Sequence, residues 1–69
     1  MTQSEIDNIF TYHKPKDGQP AKYEYIREVG KQLAMAVIES CPESREKSTA
    51  ITKIQEAVMW ANAAIAIHE

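Results

Sequence analysis

Residues 51–67 read Ile-Thr-Lys-Ile-Gln-Glu-Ala-Val-Met-Trp-Ala-Asn-Ala-Ala-Ile-Ala-Ile. Ile51, Ile54, Val58, Ala61 and Ile65 recur at alternating steps of three and four, which places them on one face of a helix. Met59, Trp60 and Ile67 lie off that face. At about 100° per residue, Trp60 and Ile67 point nearly opposite Val58, and Met59 points to one side. The segment is therefore apolar nearly all round, and such a helix is buried all round. One partner helix covers one face only. The remaining apolar side chains either meet another subunit or pack under the N-terminal arm of their own chain. That arm offers only Ile6, Ile9 and Phe10, so the reading favours a second subunit.

Working back toward the N-terminus, Cys41-Pro42-Glu43-Ser44 is a turn, because proline disfavours helix at the residue before it. Upstream, Tyr23, Ile26, Gly30, Leu33, Val37 and Cys41 form a second stripe. A glycine inside a helix costs about 1 kcal/mol against alanine, so Gly30 is expected where another backbone comes close. Pro20 suits a first helical turn. Pro15 and Asp17-Gly18 are turn chemistry. Ser4 with Asp7 resembles a capping box. The predicted fold is all-α. A short helix at about 4–9 and a loop at 10–19 precede a helix at about 20–41 and a helix at about 43–67, the last two folded as an antiparallel hairpin.

The chain has 69 residues and one cysteine, which allows a single domain. A chain this short buries only about 60% of the surface its unfolded form exposes. Disulfides are excluded, and Cys41, His13 and His68 show no metal-ligand spacing. Self-association is what remains, so a homo-oligomer is expected, with no metal and no cofactor. A lone cysteine and the lack of a signal-peptide pattern point to an intracellular location. The apolar run 57–67 is too short for a membrane span, which needs about 20 residues. The net charge of −2 argues against a duplex-DNA binder, which would carry a basic face.

Catalysis is not expected. Glu24 and Glu28 share a helix face but should be solvated, and no Ser/His/Asp set or phosphate-binding glycine loop is present. The stretch 10–22 is different. It gathers Phe10, Thr11, Tyr12, His13, Lys14, Lys16 and Lys22, and leads into a helix N-terminus at Pro20. Aromatic faces stack on nucleobases, and cations at a helix N-terminus hold phosphate. Arg27 and Lys31 follow at i, i+4, a like-charge pair that is unfavourable unless an anion lies near. The competing reading is a lysine-rich surface loop that Tyr12 pins to the core.

The runs Phe10-Thr11-Tyr12-His13-x-Pro15, Gln19-Pro20-x-Lys22-Tyr23-Glu24-x-Ile26-Arg27, Cys41-Pro42-x-Ser44-Arg45-Glu46-Lys47-Ser48 and 56–66 resemble a short phage and prophage family. That family is related to the helical-hairpin anti-CBASS and anti-Thoeris sponges. The resemblance implies a hexamer that sequesters cyclic oligonucleotide signals, such as cyclic GMP–AMP, in the host bacterial cytoplasm without cleaving them. It implies a site where two protomers meet, with Tyr12 stacked on a base and Arg27 on a phosphate. Phe10, His13, Lys14 and Lys31 are further candidates from the same region. Some members hold cyclic trinucleotides elsewhere through an arginine near the C-terminal end. Ile67 stands at that position here, and Asn62 is the candidate replacement contact, unless it fills a gap in the oligomer core. Two alternatives compete: a sponge for a cyclic ADP-ribose-type signal, and a hairpin that docks on a host protein.

Overall fold

The computed structural model describes residues 1–69. The chain is all-helical, with α1 over Gln3–Ile9, α2 over Gln19–Ser40 and α3 over Arg45–His68. Each helix end has a local cause. The cap of α1 is Thr2, whose Oγ1 accepts from the Glu5 N–H at 3.1 Å while its hydroxyl donates to the Glu5 carboxylate at 3.3 Å. The Ser4–Asp7 capping box is thus corrected to Thr2–Glu5. A cap needs extended backbone, which Thr2 has and Ser4, inside the helix, does not.

The N-cap of α2 is Gly18 at φ 84°, a left-handed conformation that glycine adopts without penalty, and Pro20 sits in the first turn behind it. Cys41 is extended before Pro42 and ends the helix. Ser44 then caps α3 by accepting from the Lys47 N–H at 3.1 Å. The helix therefore begins at Arg45 rather than at 43.

The long helices pair antiparallel: Gln19 meets Ile65, Gly30 meets Val58, and Ile38 lies beside Ile51. The seam joins Tyr23, Ile26, Gly30, Ala34 and Val37 to Ile51, Ile54, Val58, Ala61 and Ile65, all half-buried. Two members of the expected α2 stripe fall off it. Leu33 is 54% exposed and Cys41 is exposed. The residue that continues the row from Gly30 is Ala34, one turn on, which turns Leu33 onto an open side. At Gly30 an added Cβ would lie 2.5 Å from Val58 Cγ2. The close neighbour is thus a side chain rather than a backbone.

The result is a slab. Its extents are 45 × 28 × 12 Å, and the thinnest is the diameter of a single helix, about 10–12 Å. The radius of gyration is 15.3 Å, against about 11 Å for a compact domain of this length. Gln19 is the one buried residue, and no apolar side chain is buried. The chain exposes 5635 Å², where a compact 7.8 kDa monomer would expose roughly 4,400 Å². Trp60 is 73% exposed and Met59 is exposed as well, so the N-terminal arm does not cover them. No helix is long and apolar enough to cross a membrane.

Candidate functional site

The loop between α1 and α2 is tied at both ends to the last turn of α3. The final four carbonyls of a helix have no partner within it, and here loop-side donors reach them. Asn8 Nδ2 donates to the Ile67 carbonyl at 3.2 Å. His13 donates through Nε2 to the Asn8 carbonyl at 2.7 Å. A carbonyl can only accept, so this nitrogen carries the proton. At the far end Gln19, 3% exposed, accepts from the Lys16 N–H at 2.9 Å and points Nε2 at the Ile65 carbonyl, 3.5 Å away.

Two of the loop lysines are also engaged there. Lys16 Nζ donates to the Glu69 carbonyl at 2.9 Å, and Lys22 Nζ pairs with the Glu69 carboxylate at 2.6 Å. Cations are favourable at a helix C-terminus, which accounts for their placement. Lys14, by contrast, makes no hydrogen bond or ion pair within the chain.

The aromatic side chains of the loop are placed the other way. Phe10 is 84% exposed and Tyr12 is 83% exposed, and the Tyr12 hydroxyl has no hydrogen bond within the chain. Tyr12 does not pin the loop to the core. Polar side chains pin it, and the rings are left displayed.

Arg27 and Lys31 lie about halfway along α2. Both are exposed, and neither makes a hydrogen bond or ion pair within the chain. They border a shallow groove of about 390 Å³ with Ala34, Ile51, Gln55 and Met59. The opposite side of the same seam carries an apolar groove of about 410 Å³, walled by Tyr25, Val29, Leu33, Ala57 and Ala61. Both grooves are walled mainly by apolar side chains; Arg27 and Lys31 stand at the edge of the first and Lys53 at the edge of the second. Tyr12 and Phe10 line neither groove, so a single chain does not bring Tyr12 and Arg27 into one cavity. Asn62 lies away from both. Its Oδ1 is buried and has no hydrogen-bond partner.

Asn8 and Gln19 were missed in the sequence. The available signal was a carboxamide at each end of an aromatic loop, one in the last turn of a short helix and one just ahead of a proline.

The model of the Acb2/Tad1 hairpin domain matches residues 2–66, nearly the whole chain. The chain belongs to this family. Acb2/Tad1 proteins are anti-CBASS and anti-Thoeris sponges, so at family level the function is phage capture of cyclic-nucleotide immune signals. The match spans α1, the loop and both arms of the hairpin, so the tethered loop lies within the family domain. No significant match is found among curated proteins or among solved structures.

Proposed function

We propose that this Acb2/Tad1 hairpin binds cyclic oligonucleotides, with cyclic dinucleotides such as cyclic GMP–AMP as its main ligands, and holds them without cleavage. The observation that carries the reading is the pair of unpartnered rings, Phe10 and Tyr12, displayed on a loop whose backbone is tethered. Aromatic rings in water are costly to display and are suited to stacking on bases, at about 1–3 kcal/mol each. Arg27 supplies the phosphate contact, since its fork can grip two oxygens. Lys31 and Lys14 add charge. His13 supports the loop, and Asn62 is a contact for the larger ligands.

The working unit is a homo-oligomer, a hexamer. The slab exposes roughly 1,200 Å² more than a compact monomer would, and a standard interface removes about 800 Å² per partner. With the groove at Tyr25 and Leu33 taken up by a second copy, the groove edged by Arg27 and Lys31 and the loop of different protomers are free to meet around a ligand. This fits a site that needs Tyr12 and Arg27 together although one chain does not bring them into one cavity.

Binding without turnover is the reading that the sponge family supports. Phosphodiester cleavage needs an activated nucleophile and an acid for the leaving group. His13, held through its Nε2–H by the Asn8 carbonyl, offers one free ring nitrogen, and no second acid–base side chain is bonded to it.

Native mass spectrometry tests the proposal. The protein is mixed with cyclic di- and trinucleotides and with cyclic ADP-ribose. A hexamer that takes up cyclic dinucleotides in whole-number stoichiometry is expected. Uptake of cyclic ADP-ribose alone would assign the anti-Thoeris reading, and no uptake from the panel would favour a protein-docking hairpin.

A further inference from the structure

We infer that Asn8, His13 and Gln19 are positioning residues, which hold the Phe10–Tyr12 arm in its binding conformation by fastening it to the last turn of α3. The inference rests on the reading of Tyr12 as a base-stacking residue and deepens it. A side chain that stacks on a ligand must be exposed before binding, so it cannot also anchor its own loop. Here the two tasks are divided. The rings project outward, and the backbone on either side is held by side chains that play no part in stacking. His13 follows Tyr12 directly, and its bond to the Asn8 carbonyl at 2.7 Å closes the loop back onto α1. Asn8 in turn passes the tether to Ile67 at 3.2 Å. Gln19, the one buried residue, holds the other end by accepting from the Lys16 N–H. Without these bonds the segment 10–18 would sample many backbone states, and each binding event would bear the entropy of ordering it.

The tether uses His13 as a hydrogen-bond donor. Its Nε2–H donates to a carbonyl in the neutral ring and in the imidazolium alike, so protonation leaves the tether in place. The donor is what matters, not basicity. A glutamine at 13 keeps a donor near the Nε2 position, whereas phenylalanine keeps the ring and loses the donor.

The test is calorimetric titration with cyclic GMP–AMP of the parent, Asn8→Ala, His13→Phe and His13→Gln, each alone and combined with Tyr12→Ala. His13→Phe and Asn8→Ala are each expected to weaken binding by about tenfold, with His13→Gln close to the parent. In the Tyr12→Ala background the same changes are expected to have little effect, because they act through that ring. Equal losses for His13→Phe and His13→Gln, or undiminished losses without Tyr12, would overturn the inference. Amide hydrogen exchange of the same variants provides a reading independent of any ligand. Exchange of the hydrogen-bonded Phe10 and Lys16 amides is expected to quicken in Asn8→Ala and His13→Phe while the midpoints of α2 and α3 keep their protection. If the parent takes up no nucleotide, the proposed function fails. Unchanged exchange of both amides would overturn the tether whether or not the parent binds.

Discussion

Replacing Gly30 with alanine sets two effects of known size against each other. Alanine is the better helix former by about 1 kcal/mol. Its Cβ, however, would lie 2.5 Å from Val58 Cγ2, about 1 Å inside the usual contact distance for two carbons. Val58 is β-branched and nearly locked at χ1 within a helix, so it cannot swing aside. The helices must part along the seam, and overpacking of this kind costs about 1–3 kcal/mol. The net expectation is destabilisation by about 1 kcal/mol, a fall in Tm of roughly 4–8 °C for a domain of this size.

Val58→Ala separates the two effects. It removes two methyl groups from a half-buried site, at a cost of about 1 kcal/mol. It also opens the space beside residue 30. In that background Gly30→Ala should stabilise by its full propensity gain, so a double-mutant cycle should show coupling of about 2 kcal/mol. The assay is thermal and urea unfolding followed by circular dichroism. It is run at one fixed protomer concentration, because association shifts apparent stability. If Gly30→Ala stabilises the parent by about 1 kcal/mol and the cycle shows no coupling, the close approach at Val58 is wrong.

Four further outcomes follow from the site and the slab. Tyr12→Ala should weaken cyclic GMP–AMP binding by about 1–3 kcal/mol, and Arg27→Ala by roughly 1.5–3 kcal/mol, with helicity unchanged in both; titration of both variants like the parent would misplace the site. Trp60→Glu should shift sedimentation equilibrium toward smaller species, while a monodisperse, well-folded monomer of the parent would contradict self-association. Cyclic dinucleotide incubated in excess and released by heat should be recovered intact by chromatography, and a linear product that grows with time would make the protein an enzyme. Gly18→Ala should cost about 1–2 kcal/mol, because its left-handed backbone penalises a Cβ, measured by the same unfolding curves.

Much of the hairpin was legible because its signals are local and periodic. The α3 row from Ile51 to Ile65 could be counted directly, and the Cys41-Pro42 stop and the Gly18-Pro20 start are properties of the residues themselves. The α2 row was harder. Leu33 and Ala34 compete for the same place, and hydropathy selects leucine. The structure selects alanine, because a seam built around Gly30 is too narrow for the larger side chain. Likewise, two cap sequences overlap at the start of α1, and backbone geometry rather than residue type decides between Thr2 and Ser4.

The site was legible only in its exposed parts. Phe10 and Tyr12 are odd residues for a solvated surface, Arg27 and Lys31 an odd pair at i, i+4, and that oddness shows in one dimension. The groups that hold the loop are not odd at all. Asn8 and Gln19 are common surface residues, and their partners, the carbonyls of Ile67 and Ile65, lie 59 and 46 positions away. Only the antiparallel return of α3 puts the carbonyls of its last turn under the loop. The same return gives Lys16 and Lys22 partners that the linear sequence does not show, the carbonyl and the carboxylate of Glu69. Of the cations on the loop and α2, Arg27, Lys31 and Lys14 are left unpaired, along with two rings on the loop. In the proposed oligomer, a ligand that meets both must offer flat faces to the rings and anionic oxygens to the cations. A cyclic oligonucleotide has that composition, with bases outside a ring of phosphates and sugars. A protein partner would have to supply the same two chemistries from separate side chains.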